Sequence, residues 1–437
     1  MNNRRLLTGL LAVILSGSAV CSWSQTVMSL EDLFEYAETH SVQLRPAFTN
    51  QEVSKYEINV AKAERLPDIN ANLSVSFIGD GFTTKRNYSD FQKAPIPHLG
   101  TGLGINIEQP LYTGGAITGA IEMAELKSIG SQFATDLQRD NIRFQLTGFY
   151  LDIYKYSNLR TVVEHNLDAA YKVLGEMKAR FQQGIALQND ITRYELLISN
   201  LELQLVRIDN TLKIFNSNLV TISGLPMETV IVPDSTILAK SLPAESETEW
   251  NDRAIGNSPQ LKLARNYIDI SQKAEQLSRS DYLPKIGLQA GWTIDGPILV
   301  EVPPINRNLS YWWIGLGVTY NLSSLYKNNH VMQKRKAESL LALEQYDATL
   351  ENVNMTVRAD YIKYLEAFEE LKTQEKSVEL AQKNYRITST RYSAGMALIT
   401  DMLDAANSLL EAEQQLVNSR INIIYSYYKL LFSTGTI

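Results

Sequence analysis

The chain carries one passage twice. Residues 180–224 and 391–435 align without a gap at a constant offset, 391 − 180 = 211, and eleven of the 45 pairs are identical. Among them are Arg180/Arg391, Gly184/Gly395, Ala186/Ala397, Leu187/Leu398, Asp190/Asp401, Glu202/Glu413 and Gly224/Gly435. Ordinary residue usage gives roughly three identities by chance, so the passage reads as an internal two-fold repeat. Upstream, Ser41/Ser258, Leu44/Leu261, Ser54/Ser271, Leu66-Pro67/Leu283-Pro284 and Ile69/Ile286 match at an offset of 217, and Gly102-Leu103-Gly104 matches Gly315-Leu316-Gly317 at 213. The shrinking offset puts the length differences between those anchors, where loops absorb them. Any fold for this chain must build one plan twice.

Composition narrows the class. The net charge of −7 is mild and evenly spread, and without a basic stripe to neutralise phosphates nucleic acid is not an expected partner. After the first 25 residues no apolar run approaches the 18 or more of a membrane-spanning helix. The opening, MNNRRLLTGLLAVILSGSAVCSWSQ, has Arg4 and Arg5, an apolar run from Leu6 to about Val20, then small residues. That is the layout of a secretory signal peptide, residues 1–24. Cys21 leaves lipid attachment as a second outcome. It is the only cysteine, so no internal disulfide is available and stability must come from packing.

In chain order, residues 29–65 have apolar positions at helical spacing, opened by a Ser29–Asp32 capping box and stopped by Leu66-Pro67. From Ile69 to Phe77 the pattern alternates, with Ile69, Ala71, Leu73, Val75 and Phe77 on one face and Asn70, Asn72, Ser74 and Ser76 on the other, as in a strand. A loop over 79–100 and a second strand through Leu103, Ile105 and Ile107 make a hairpin. QPLYTGG, residues 109–115, breaks the pattern, and nothing stops a helix from 116 to about 181. At 1.5 Å per residue such a helix is roughly 100 Å long. After a turn at 182–189 a shorter helix runs to 223. Three segments of the mature chain follow: a first repeat, 25–226, a connector, 227–249, and a second repeat, 250–437. The second has a helix to 282, strands at 286–294 and 312–320, a long helix over about 328–391 and a final helix over 399–432.

Four amphipathic strands leave open edges and an apolar outer face. A closed barrel shared among chains removes both problems, and alternation over about ten residues is what a transmembrane strand needs.

At this point the sequence resembles a known family. The final segment RYSAGMALITDMLDAANSLLEAEQQLVNSRINIIYSYYKLL, the Leu-Pro-x-Ile joint before each first strand, the PLYTGG after the second and the repeat are similar to the TolC-like outer-membrane efflux proteins of Gram-negative bacteria. The resemblance implies a mixed α/β membrane protein: a homotrimer whose twelve β-strands, four per chain, form one barrel in outer-membrane lipid, continued by a long α-helical coiled-coil barrel in the periplasm. It implies a passive duct without catalytic residues, cofactor or metal. Its partners would be a periplasmic adaptor (membrane fusion) protein and an inner-membrane pump of the RND, ABC or MFS type, in efflux or type I secretion. The loops at 79–100 and 295–310 would face the cell exterior.

The helix turns would then form the tunnel mouth. Asp401 and Asp404 would ring the constriction, with Asp190 at the matching place and Tyr392 beside it. Arg180, Gly184, Leu187, Arg391, Gly395 and Leu398 would form the tips that meet the adaptor. Where some relatives carry an arginine that pairs with the acid of the first tip, this chain has Ala397. The closed state would rest instead on packing through Leu398, Met402 and Leu403 and on a Tyr392–Asp190 hydrogen bond.

Read without the resemblance, Asp190 and Asp401 are acids at helix starts. Arg180 and Arg391 are C-terminal caps, with Gly184 and Gly395 supplying positive φ. His40, His98, His165 and His330 share no ligand spacing. Long helices also suit a soluble periplasmic coiled-coil scaffold or adaptor, which has no need of the strand pairs. An exported hydrolase would need a nucleophile–histidine–acid grouping that the sequence does not offer.

Overall fold

A computed structural model describes residues 25–239, 242–243, 245–301 and 304–437. The expected signal peptide and Cys21 lie outside them. The chain runs β1 (Gln25–Met28), α1 (Leu30–His40), α2 (Arg45–Ala63), β2 (Asp68–Phe77), β3 (Gly81–Thr83), β4 (Gln92–Ala94), β5 (Leu99–Tyr112), α3 (Ala116–Gln182) and α4 (Gln188–Ser223). It continues with β6 (Val230–Pro233), α5 (Glu247–Asn257), α6 (Pro259–Ser278), β7 (Lys285–Gly296), β8 (Leu309–Thr319), α7 (Ser324–Ser393) and α8 (Ile399–Ser433).

The expected single helix over 29–65 is two. It starts as read, with the Ser29 hydroxyl accepting from the Asp32 N–H at 3.1 Å. It stops when Ser41 turns extended and donates its N–H to the Ala37 carbonyl at 2.9 Å. Pro46 then lies in the first turn of α2, where its missing N–H costs nothing. The second half breaks in the same way, with Ser258 closing α5 on Ala254 at 2.9 Å and Pro259 opening α6. Periodicity sees through a proline at a helix start.

The chain divides into two compact units. One holds the described part of Met1–Pro46 with Leu137–Ser258 and Val353–Ile437. Here β1 and β6 pair in parallel, Gln25 opposite Val230, a pairing too short for the sequence pattern to betray. The buried Tyr150 of α3 ties them down, donating to the Met28 carbonyl at 2.9 Å and accepting from the Asp234 N–H at 2.7 Å. Burial pushes its phenol up to about 12. A second core joins Val163, Leu174 and Met177 of α3 to Ile191, Tyr194 and Ile198 of α4 and to Ile399 and Met402 of α8.

The other unit, Ala47–Asp136 with Pro259–Asn352, carries an antiparallel sheet in the order β2-β5-β7-β8. Its register separates the faces. Ile69, Ile107, Ala290 and Ile314 form one row across all four strands, and Ala71, Ile105, Trp292 and Trp312 another, all on one side. The intervening rows, Asn70–Asn106–Gly291 and Asn72–Gly104–Thr293, are small or polar across β2, β5 and β7 and end on the aromatic Trp313 and Tyr311 of β8. The apolar rows are uncovered, with Leu73 76% and Trp312 72% exposed, and among the described residues β2 and β8 are unpaired on their outer edges. β5 runs on through Pro110, beyond the expected break at 109, because a register shift between Pro110 and Tyr112 accommodates a residue without an N–H. Inside the expected loop over 79–100 the structure adds the small hairpin β3–β4. Among the described residues no helix is long and apolar enough to cross a membrane.

Candidate functional site at the helix tips

The two tips belong to the first unit and are built alike. At the end of α3, Gly184 takes φ 74° and gives its N–H to Phe181, while the Ile185 N–H returns to the Arg180 carbonyl at 3.0 Å. At the end of α7, Gly395 takes φ 74°, gives its N–H to Tyr392, and the Met396 N–H returns to Arg391 at 2.8 Å. This is the left-handed helix termination in which glycine avoids the penalty of a Cβ. Leu187 and Leu398, both extended, then start α4 and α8.

The turns leave apolar side chains with nothing to cover them. Leu187 and Leu398 are exposed, and so are Ile185 and Met396, a second pair at the offset of 211. Sequence reading missed that pair. Its signal was an apolar residue directly after a positive-φ glycine, outside either helical stripe. The exposure of Leu398 also corrects the expected packing set, since Met402 is buried and Leu403 packs against the core but Leu398 does not.

The polar residues separate into two groups. Arg180, Asp190 and Tyr392 come together: the half-buried Tyr392 phenol is raised first by burial and then by the Asp190 charge, with Arg180 opposing. No Tyr392–Asp190 hydrogen bond occurs among the described residues, contrary to expectation. The bond that crosses from tip to tip is made by Arg180, whose guanidinium donates to the Ser393 carbonyl. Arg391 stays in its own turn, directed at the Met396 carbonyl at 3.5 Å. Asp401 and Asp404 are exposed and form no ion pair among the described residues. The Asp401 carboxylate accepts the Leu398 N–H at 3.1 Å, so it caps its own helix.

Behind the tips, α3 and α4 are joined by Arg160–Asp209 at 2.8 Å, by Tyr171 donating to Glu202, and by Lys178–Glu195 at 2.8 Å. Glu413, the match of Glu202, accepts instead from Asn166 of α3 at 2.8 Å.

The family model "Outer membrane efflux protein" matches residues 250–436. Outer membrane protein TolC of Vibrio cholerae is 22% identical over 99% of this chain and 96% of its own length. Proteases secretion protein PrtF of Dickeya chrysanthemi is 20% identical over 98% of this chain and 92% of its own. The crystal structure of the outer membrane protein VceC from Vibrio cholerae shares the fold, with a TM-score of 0.74 at 17% identity over 93% of this chain and 96% of that one. The chain is similar to the TolC-like outer membrane efflux proteins. It works as an outer-membrane exit duct, with its helical part in the periplasm. The scaffold alternative falls away.

Proposed function

We propose that three copies close the β2-β5-β7-β8 sheet into one twelve-stranded barrel in the outer membrane, and that their helices form a coiled-coil tunnel in the periplasm. The observation that carries this is the sheet itself. Four strands are too few to close alone, both edges are unpaired among the described residues, and one face presents continuous apolar rows to the surroundings. Lipid on that face and symmetry copies on both edges answer all three problems. The plan is a duplication: signal peptide 1–24, repeats 25–226 and 250–437, and connector 227–249.

In this reading the duct is passive, and an inner-membrane pump of the RND, ABC or MFS type delivers cargo through a periplasmic adaptor. The tips dock the adaptor through Leu187 and Leu398 together with Ile185 and Met396, on turns held by Arg180, Gly184, Arg391 and Gly395. Asp401 and Asp404, repeated around the axis, line the constriction, and Asp190 with Tyr392 supports it. The similarity to PrtF, 20% identical, favours no cargo for this chain, since a duct wall touches its passengers weakly. Chemical cross-linking of outer-membrane fractions tests the assembly: a ladder ending at three chains is expected, and a monomer in the soluble periplasmic fraction rejects it.

A further inference from the structure

One glutamate is used differently in the two halves, and a cavity lies where the difference falls. Glu202 is engaged by Tyr171 across α3–α4. At the same offset of 211 the residue matching Tyr171 is Gln382, and the residue matching Glu195 is Ala406. Around Gln382, Ala406 and Glu413 there is a cavity of about 390 Å³ bounded by α3, α4, α7 and α8. Its body is apolar, formed by Ala169, Leu197, Leu201 and Leu410. Its one half-buried charge is Glu413, whose Oε2 accepts from Asn166. Among the described residues that carboxylate has no other hydrogen-bond partner, so acceptor capacity remains.

We propose that this cavity is a binding site for a small amphipathic amine, with its hydrocarbon body against Leu197, Leu201 and Leu410 and its ammonium on Glu413 and the Gln382 amide oxygen. The class follows from the lining. An anion would face the carboxylate, and a plain hydrocarbon would strip water from it without replacing the hydrogen bonds. Arg420 and the His165 ring, which also line it, are exposed. Arg420 lies seven residues along α8 from Glu413, about 10 Å, or roughly one Debye length in physiological salt. Size sets the body: a cavity of about 150 Å³ holds benzene, so this one takes two fused rings and an aminoalkyl arm. All four helices belong to one chain, so a single copy supplies the whole lining.

The probe is tryptamine, titrated by calorimetry into the full-length protein in detergent. Saturable binding of one molecule per chain is expected. Glu413→Gln, which keeps the shape, should weaken it about tenfold or more, as should replacing tryptamine by neutral 3-ethylindole. Ala406→Trp should abolish binding by filling the space, with circular dichroism and elution volume unchanged. Absence of saturable binding to the wild-type protein overturns the proposal. So does wild-type affinity in Glu413→Gln or equal affinity for 3-ethylindole, and either result stands even where Ala406→Trp fails to fold.

Discussion

The α3–α4 pair and the α7–α8 pair follow one plan but are held differently. In the first, three polar cross-links run from Arg160–Asp209 through Tyr171–Glu202 to Lys178–Glu195. In the second the matching positions are Leu371 and Arg420, Gln382 and Glu413, and Ser389 and Ala406. No ion pair joins α7 to α8 among the described residues, and the hydrogen bonds between them, Asn422 to Glu370 at 3.1 Å and Ser433 to Asp360, lie far from the tip. Exposed ion pairs contribute only about 0.2–1 kcal/mol each, so the difference concerns which pair yields first more than total stability. Near the tip the second pair is held by packing of Ile399 and Met402 in the core.

Matched core residues offer the sharpest break of that comparison. Ile191 in α4 and Met402 in α8 stand at the same offset, and both are buried in the same core. Truncating either to alanine should cost about 2–5 kcal/mol. Thermal unfolding should therefore fall similarly in Ile191→Ala and Met402→Ala. Spontaneous opening in planar bilayers should rise in Met402→Ala alone, and equal opening in both variants would show that the cross-links do not matter.

Alkaline pH probes the groups that stand between the pairs. Tyr194 of α4 and Tyr385 of α7 share a side-chain hydrogen bond, and burial raises both phenols above the ordinary 10.0. A folded pKa raised above the unfolded one contributes stability that is complete below pH 10 and lost as pH climbs through the raised values. Stability should thus be level up to about pH 10 and decline above it. Tyr385→Phe should flatten the decline, and an unchanged slope in urea unfolding across that range would exclude these phenols as its source.

A smaller effect comes from transplanting a cross-link. Ser389→Lys with Ala406→Glu copies Lys178–Glu195 into the second pair and should add about 0.2–1 kcal/mol, lowering opening frequency at low salt and less at high salt. Loss of the gain in either single variant is the control.

Much of this was legible from residues. Alternation at Ile69–Phe77 gave strand and face together, because side chains in a strand point to opposite sides. Gly184 and Gly395 announced their turns, because a left-handed residue without a Cβ is a local requirement. What stayed hidden depends on neighbours distant in sequence. Glu202 and Glu413 are identical, yet their partners are Tyr171 and Asn166, and no local pattern distinguishes them. Leu398 and Met402 are both apolar at the start of α8, but only the helix position decides that one points to solvent and the other into the core. Strands of four residues such as β1 and β6 are shorter than any period can resolve.

The smallest expected change in stability concerns the acids, where the pairs differ again. Asp190 is half-buried and its charge acts on Tyr392, whereas Asp401 is exposed and caps α8. If Asp401 and Asp404 each recur three times around one axis, six carboxylates share a ring, and at about 7 Å in water each pair repels by roughly 0.6 kcal/mol. Nothing positive in that turn offsets them, since Ala397 is neutral and Arg391 is directed at a carbonyl. Asparagine also accepts a hydrogen bond from a backbone N–H, so Asp401→Asn with Asp404→Asn should alter thermal stability by only a few tenths of a kcal/mol. Cation selectivity and block by divalent or trivalent cations in planar bilayers should nevertheless fall. Asp190→Asn should instead lower the Tyr392 pKa, by removing the charge that raises it, and leave selectivity nearly unchanged. Should the double variant keep both selectivity and block, Asp401 is a cap and nothing more; should Asp190→Asn lose them as fully, the matched acids play one role and the contrast between the pairs ends at the tips.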